Sequence, residues 1–215
     1  MQTTTKIAFD EILASLEQPT CEQREAEITQ GMLVKKASSM AKRGYRFNTE
    51  SLDALRLYMA GYGLFVYGDV GTGKTMFFRL MRNHEQKSIY IFSMHNILGR
   101  TEVEIRELMD DLAGQEVLLD DVGAEPKFNN YGVRFDILAY ILERRMESRM
   151  RTHLTTNLSK GEIGDRYGKR VIDRIAEMCR SVEFSGKSQR SPKVNREVVA
   201  AMDRYMLSHP NSEVA

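Results

Sequence analysis

The sequence predicts an α/β protein whose parallel sheet is covered by helices on both faces. Three observations lead there. A short apolar strand, Leu64 to Tyr67, runs directly into Gly68-Asp69-Val70-Gly71-Thr72-Gly73-Lys74-Thr75, which fits the P-loop pattern G-x-x-x-x-G-K-[ST] at every required position. Strand-like and helix-like stretches then alternate to the end of the chain, the pattern of parallel strands joined by crossover helices. A second apolar strand, Val117-Leu118-Leu119, ends in two adjacent carboxylates, Asp120 and Asp121.

Length and composition set the bounds. The 215 residues suffice for one nucleotide-binding domain with a short extra segment, and for an α/β core that needs no disulfide or metal. Lysine and arginine number 31 against 30 aspartates and glutamates, so any nucleic-acid contact must come from local patches. Cys21 and Cys179 are far apart and form no C-x-x-C pair, which argues against a cysteine zinc site and fits a reducing cytoplasm. The histidines at 84, 95, 153 and 209 show no metal-ligand spacing. No run of 18 apolar residues and no apolar signal core is present, so no membrane partner and a cytoplasmic location are expected.

Taken in order, residues 1–47 read as two helical patterns. Ile7, Phe9, Ile12, Leu13 and Leu16 form the first, before Pro19, and a polar stretch from Glu22 to Arg43 forms the second. The segment could dock on its own domain, bind a partner or extend into solvent. Gly44 to Phe47 reads as a link, and Asn48 as the N-cap of a helix to about Ala60. After the P-loop helix come a buried strand at 88–92 and a helix opened by the capping box Thr101-x-x-Glu104. A strand from Glu116 to Asp120 follows, then a long helix from about Tyr131 to Met150. The remainder reads as a strand Thr152–Thr156, helices across Lys160–Met178, a strand near Ser181–Phe184 and a helix from about Asn195 to Ser208. The expected division is 1–47, a helical N-terminal segment; 48–192, the nucleotide-binding core; and 193–215, a C-terminal helix and tail.

The motifs carry chemistry. Glycines 68, 71 and 73 let backbone N–H groups turn inward around phosphate oxygens, with Asp69, Val70, Thr72 and Met76 completing the cradle. Lys74 is expected to reach the β- and γ-phosphates of ATP, and the Thr75 hydroxyl to bind Mg²⁺. Strand C-termini face the ligand crevice of a parallel sheet, so Asp120 would hold Mg²⁺ and Asp121 would orient the attacking water. The next strand tip, Thr155-Thr156-Asn157, puts an amide where it can position water, or cap the following helix. Arg170 and Arg174 share one helical face. They are either surface charges paired with Asp173 or arginine fingers for a phosphoryl group held by a neighbouring subunit.

The succession P-loop, Leu-Leu-Asp-Asp-Val-Gly, Thr-Thr-Asn-Leu-Ser and Tyr-Gly-Lys-Arg-Val-Ile-Asp-Arg-Ile resembles the DnaC-type bacterial helicase loaders, which are AAA+ ATPases. The related transposition helper IstB shares much of the pattern. The match runs roughly from Asn48 to Arg190 and includes the closing segment Phe184-x-Gly-Lys-Ser-x-Arg190. The resemblance implies a five-stranded parallel sheet of order 5-1-4-3-2. It makes Lys74 and Thr75 Walker A, Asp120 and Asp121 Walker B, Asn157 sensor 1, and Arg170 and Arg174 the arginine-finger box, with Arg174 foremost. Arg190 would have a late sensor-like or interface role. The implied activity is ATP hydrolysis by a homo-oligomer with shared sites on single-stranded DNA, coupled to placing a replicative DNA helicase. The segment before Asn48 lacks the zinc-ligand cysteines of some loaders, and the small helical lid of AAA+ proteins is absent or reduced to the C-terminal helix.

Signals for DNA contact are local. The loop Lys127-Phe128-Asn129-Asn130-Tyr131 combines a cation, amides and aromatics, and the loop from Ser93 to Arg100 includes His95. Each is either a strand-contacting loop or a polar helix cap. The run Arg144-Arg145 to Arg149-Met150-Arg151 reads as phosphate contacts or as a solvated helix face paired with Glu143 and Glu147. Alternatives to the loader are the duplex-binding transposition helper, a small P-loop kinase, and a nucleotide-switched module without hydrolysis.

Overall fold

The computed structural model describes residues 19–82, 89–125, 129–130, 133–134, 137–186, 188–189 and 196–208. Its helices and strands in chain order are α1 (Cys21–Glu27), α2 (Gln30–Lys42), α3 (Thr49–Ala60), β1 (Gly63–Tyr67), α4 (Lys74–Arg82), β2 (Tyr90–Ser93), α5 (Glu102–Asp111) and β3 (Val117–Val122). Then follow β4 (Asn129–Asn130), β5 (Val133–Arg134), α6 (Ile137–Ser148), β6 (Thr152–Thr156), α7 (Lys160–Tyr167), α8 (Lys169–Met178), β7 (Cys179–Glu183) and α9 (Arg196–Ser208).

Five strands form one all-parallel sheet in the order β2-β3-β6-β1-β7. Counted along the chain and read from the other edge, this is the expected order 5-1-4-3-2. The central strands are buried on both sides, which is why β1 and the first half of β3 read as nearly continuous apolar runs, whereas β6 is buried yet mostly polar. One core cluster contains Phe65, Leu119, Ile141, Leu154 and Ile175; the other contains Leu55, Leu64, Val66, Phe77 and Leu118. Alternate residues of β1 and β3 thus serve opposite layers, as the pleat requires.

The helices begin where local chemistry tells them to. Thr20, Asn48, Thr101 and Ser159 each accept, at their side chain, the N–H of the residue three positions on, and donate their own backbone N–H to that residue's side chain. Such a box satisfies two backbone donors that the helix itself leaves unpaired. Residues 19–47 lie against the sheet-covering layer: Ala37, Met40 and Tyr45 sit in the same core cluster as Leu55 and Phe77. Tyr45 packs edge-on against both Phe47 and Phe77. Arg24 Nε donates to Ala60 O at 2.8 Å, tying α1 to the end of α3. The C-terminal α9 lies on α2, where Asp203 accepts from Ser38 Oγ at 3.3 Å and pairs with Lys42 at 2.8 Å.

Several boundaries differ from the sequence reading. The helix expected from Tyr131 begins at Ile137, preceded by the antiparallel pair β4–β5. The strand expected as buried at 88–92 is the sheet edge β2, where Tyr90 is exposed, because β3 covers it on one side alone. β3 continues past Asp120 to Val122, and β7 starts at Cys179, two residues before the expected Ser181. The expected single basic face after residue 143 is divided. Arg144 pairs with Asp110 and with Glu147, whereas Arg145 is 1% exposed. The Arg145 guanidinium donates to Leu112 O at 2.6 Å, Gln115 O at 2.5 Å and Thr152 Oγ1 at 2.9 Å. It pins the loop before β3 to the start of β6.

Candidate nucleotide-binding site

The loop between β1 and α4 closes on itself. Lys74 Nζ donates to Gly68 O at 2.7 Å and Asp69 O at 2.8 Å, and Thr72 Oγ1 donates to Asp69 O at 2.9 Å. Burial lowers the Lys74 pKa, against the field of Asp121, Asp69 and Asp120. Gly68 and Gly73 have φ of 126° and 98°. A Cβ on Gly68 would stand 2.3 Å from Phe184 O, and one on Gly73 would stand 2.7 Å from Gln189 Nε2. Only glycine fits either position.

The carboxylates at the end of β3 meet this loop. Thr75 Oγ1 donates to Asp120 Oδ1 at 2.8 Å, and Thr155 Oγ1 donates to the same oxygen at 2.5 Å. Asp120 is 5% exposed, and burial raises its pKa against those two hydrogen bonds and with the push of Asp121. In a regular strand Asp120 and Asp121 would face opposite sides. Here the pairing with β6 is irregular between Leu119 and Val122, and Asp121 adopts a left-handed φ of 59°. The Asp121 N–H donates to Thr155 Oγ1 at 3.0 Å, so one fully buried hydroxyl holds the Asp120 carboxylate and the Asp121 backbone together. Asn157 Nδ2 lies 3.4 Å from Asp121 Oδ1. The capping alternative for Asn157 does not hold, since Ser159 caps α7.

A cavity of about 290 Å³ opens at this junction, lined by Val70, Gly71 and Gly73 to Met76 together with Asp121, Asn157 and Gln189. Gln189 was missed in the sequence. Its backbone N–H donates to Gly71 O at 2.6 Å, and its Nε2 donates to Thr72 O at 3.1 Å and Arg46 O at 2.9 Å. Its Oε1 accepts from Arg46 N–H at 3.1 Å. One amide therefore joins the phosphate loop, the 44–47 link and the chain after β7. Thr155 was missed as well; its signal was a polar, β-branched residue in the middle of a wholly buried strand.

The two arginines sit elsewhere. Both pair with Glu143 of α6: Arg174 at 2.6 Å, and Arg170 by a contact from its Nη2. Arg174 is 17% exposed at its side chain and also reaches Ala139 O, whereas Arg170 is 73% exposed. The expected pairing with Asp173 gives way to this one, because helix spacing aims both arginines at α6. Neither lines the cavity of its own chain. His95 is exposed on a short 3-10 turn after β2. Lys127, Phe128, Tyr131 and Arg190 lie outside the described residues.

The donor set fits a Mg²⁺ nucleotide. A hydroxyl and a buried carboxylate stand 2.8 Å apart at the start of a helix, beside Lys74 and the glycine-rich loop. Among the described residues, no group of three or more histidines, cysteines or carboxylates could hold a metal by itself, and no helix is long and apolar enough to cross a membrane.

No family model matches the chain. The replicative helicase loader DnaI of Bacillus subtilis (strain 168) is 24% identical over 157 residues. That alignment covers 61% of this chain and 49% of DnaI, so the chain spans about half the length of the curated relative it matches. Among solved structures, the DnaC helicase loader superposes with a TM-score of 0.51 at 19% identity, over 70% of this chain and 99% of that one. The fold is the AAA+ P-loop fold, and in sequence and architecture the chain is similar to the DnaC-type helicase loaders.

Proposed function

We propose that this chain is an ATPase that assembles on single-stranded DNA in the cytoplasm and loads or remodels a replicative DNA helicase. The observation that carries the ATPase reading is the junction of Thr75, Asp120, Asp121 and Asn157 beside the phosphate loop. The likeness to DnaI and DnaC, both named as helicase loaders, carries the partner.

In this reading, the loop N–H groups of 68–75 cradle the phosphates and Lys74 exchanges its two carbonyl partners for β- and γ-phosphate oxygens. Thr75 and Asp120 would hold Mg²⁺, whose charge would supply stabilisation to the transferred phosphoryl group. Asp121 accepts a proton from, or orients, the attacking water, with Asn157 fixing its place. Thr155 keeps Asp121 in the conformation this needs. Arg174, with Arg170 beside it, leaves Glu143 to reach the γ-phosphate of a neighbouring subunit. Residues 48–192 are the ATPase core, flanked by the segments 1–47 and 193–215, of which 19–47 and 196–208 are described; the DNA-contacting loops are those at the strand tips, including His95, Lys127, Phe128 and Tyr131.

ATPase rate measured against protein concentration, with single-stranded DNA, duplex DNA or neither, tests the proposal. Single-strand stimulation that rises steeply with concentration is the expected result. Duplex-only stimulation would favour a transposition helper, and phosphate transfer to an added acceptor would favour a kinase. A flat rate indifferent to DNA would overturn the shared-site reading.

A further inference from the structure

A larger cavity, of about 680 Å³, opens at the opposite end of the same strands. It lies where β1, β6 and β7 begin, at Gly63, Thr152 and Cys179. The five residues of β1 separate it from the phosphate loop by roughly 16 Å. Its volume is that of a site for a small organic ligand.

The lining is basic. Five arginines contribute: Arg24, Arg145, Arg149, Arg151 and Arg180. Two carboxylates, Glu22 and Glu177, oppose them. Three of the arginines are committed to the fold. Arg24 holds Ala60 O, Arg151 pairs with Glu116 at 2.7 Å, and Arg145 is buried. Arg145 keeps its charge among neutral oxygens, with no carboxylate in ion-pair contact among the described residues. A buried cation of that kind leaves an uncompensated positive field in the adjoining cavity.

The other two arginines are available. Arg180 lies over the Tyr62 ring at 4.8 Å and reaches Glu22 only at 3.6 Å. Arg149 is exposed, and its guanidinium makes no hydrogen bond or ion pair among the described residues, the backbone N–H alone donating to Met146 O at 3.2 Å. Its φ of 53° is the left-handed conformation that closes a helix and favours glycine or asparagine. An arginine held there at a conformational cost, at the mouth of a basic cavity, has a use other than ending a helix. Two exposed guanidinium groups, one of them lying over a tyrosine ring, match a phosphate joined to a planar base. An acidic peptide would match the charges but offer no planar group to the Tyr62–Arg180 stack.

We infer that this cleft is a second anion site, separate from the P-loop, that binds a nucleotide unit through Arg149 and Arg180. The unit comes either from a free nucleotide or from single-stranded DNA. The site does not depend on ATP hydrolysis, so a chain that fails to turn over ATP leaves the inference standing.

The test uses the full chain carrying Lys74→Ala, to weaken nucleotide binding at the P-loop, with and without the pair Arg149→Gln and Arg180→Gln. The probes are labelled ADP and a labelled oligo-dT of about 10 nucleotides, within a common single-strand site size. The expected result is an affinity loss of about tenfold for one probe, and for oligo-dT a log–log salt slope shallower by about 1.4 for two lost phosphate contacts. Loss confined to oligo-dT identifies the strand as the source; loss confined to ADP identifies the free nucleotide. Unchanged binding of both probes by a variant that melts like its parent overturns the inference. So does tighter binding of polyglutamate than of either probe. Arg149→Gly separates ligand contact from folding: it relieves the left-handed backbone, so it melts higher while binding the probe more weakly. Higher melting with unchanged binding would mean that Arg149 only ends its helix.

Discussion

Thr75 Oγ1 donates to Asp120 Oδ1 at 2.8 Å, joining the first turn of α4 to the end of β3. Those two atoms are the expected Mg²⁺ ligands, already brought together. Asp120→Asn keeps the size and the hydrogen bond but removes the charge. Its ATP turnover is expected to fall on the order of 100-fold or more, since charge stabilisation of the transferring group is lost. A Mg²⁺ titration of turnover checks this; an unchanged Mg²⁺ dependence would reassign the ligand.

Thr155 bridges the Asp120 carboxylate and the Asp121 backbone N–H, so Thr155→Val should affect chemistry more than binding. The variant keeps the buried volume but leaves the Asp121 N–H without its acceptor, which costs about 1–3 kcal/mol. Asp121 then loses the hold on its left-handed backbone. Turnover is expected to drop at least tenfold with ATP affinity within a factor of three, on the order of one to two kcal/mol in the transition state alone. Stopped-flow nucleotide binding beside steady-state turnover separates the two.

Gln189 ties three segments together with one amide. Gln189→Ala strands the Arg46 N–H and a Thr72 carbonyl, so unfolding free energy should fall by about 1–3 kcal/mol. ATP affinity should fall with it, because the loop loses its brace. Denaturant titration with and without ATP checks both parts.

Stability should fall on acidification in two stages. His153 is fully buried, accepts the Leu64 N–H at its Nδ1 and donates from Nε2 to Glu116 Oε1 at 2.9 Å. Burial lowers its pKa from 6.5, against the hydrogen bond to Glu116. Burial pushes the Glu116 carboxyl up, but hydrogen bonds from His153 and Arg151 outweigh it and hold the pKa at about 2. Both groups are depressed in the folded state, so each contributes stability above its unfolded value and loses it as pH falls. The first decline begins below pH 6.5 with His153; the second, on the order of 3 kcal/mol, runs from 4.5 toward 2 with Glu116. Glu116→Gln should remove the lower stage in a pH series of melts.

The parts legible in the sequence were those written locally. The P-loop, the apolar strand before Asp120 and the alternation of elements each occupy a short window, and they sufficed for a parallel sheet covered by helices; the strand order came with the resemblance to the helicase loaders. The N-cap Asn48 and the capping box at Thr101 were readable because they too are local. What escaped were contacts between distant segments. Gln189 meets Thr72 and Arg46 only once the chain has folded, and nothing near Gln189 in the sequence marks it. Arg145 looked like a helix-face charge because its partners, Leu112 O and Gln115 O, are backbone atoms some thirty residues away. A capping role stayed open for Asn157 beside the water-positioning one because the true cap, Ser159, is two residues further on.

The central claim is that ATP is hydrolysed at a site completed by a neighbouring subunit. It is tested most directly by mixing two inactive variants. Arg174→Ala lacks the finger, and Asp121→Asn lacks the carboxylate that orients water, so each alone should bind ATP and turn it over at a small fraction of the wild-type rate. Mixed at high concentration on single-stranded DNA, they should regain a substantial part of the activity, because some interfaces then combine an intact Asp121 with an intact Arg174. No recovery at any ratio, from a wild type that is itself active, would contradict the account.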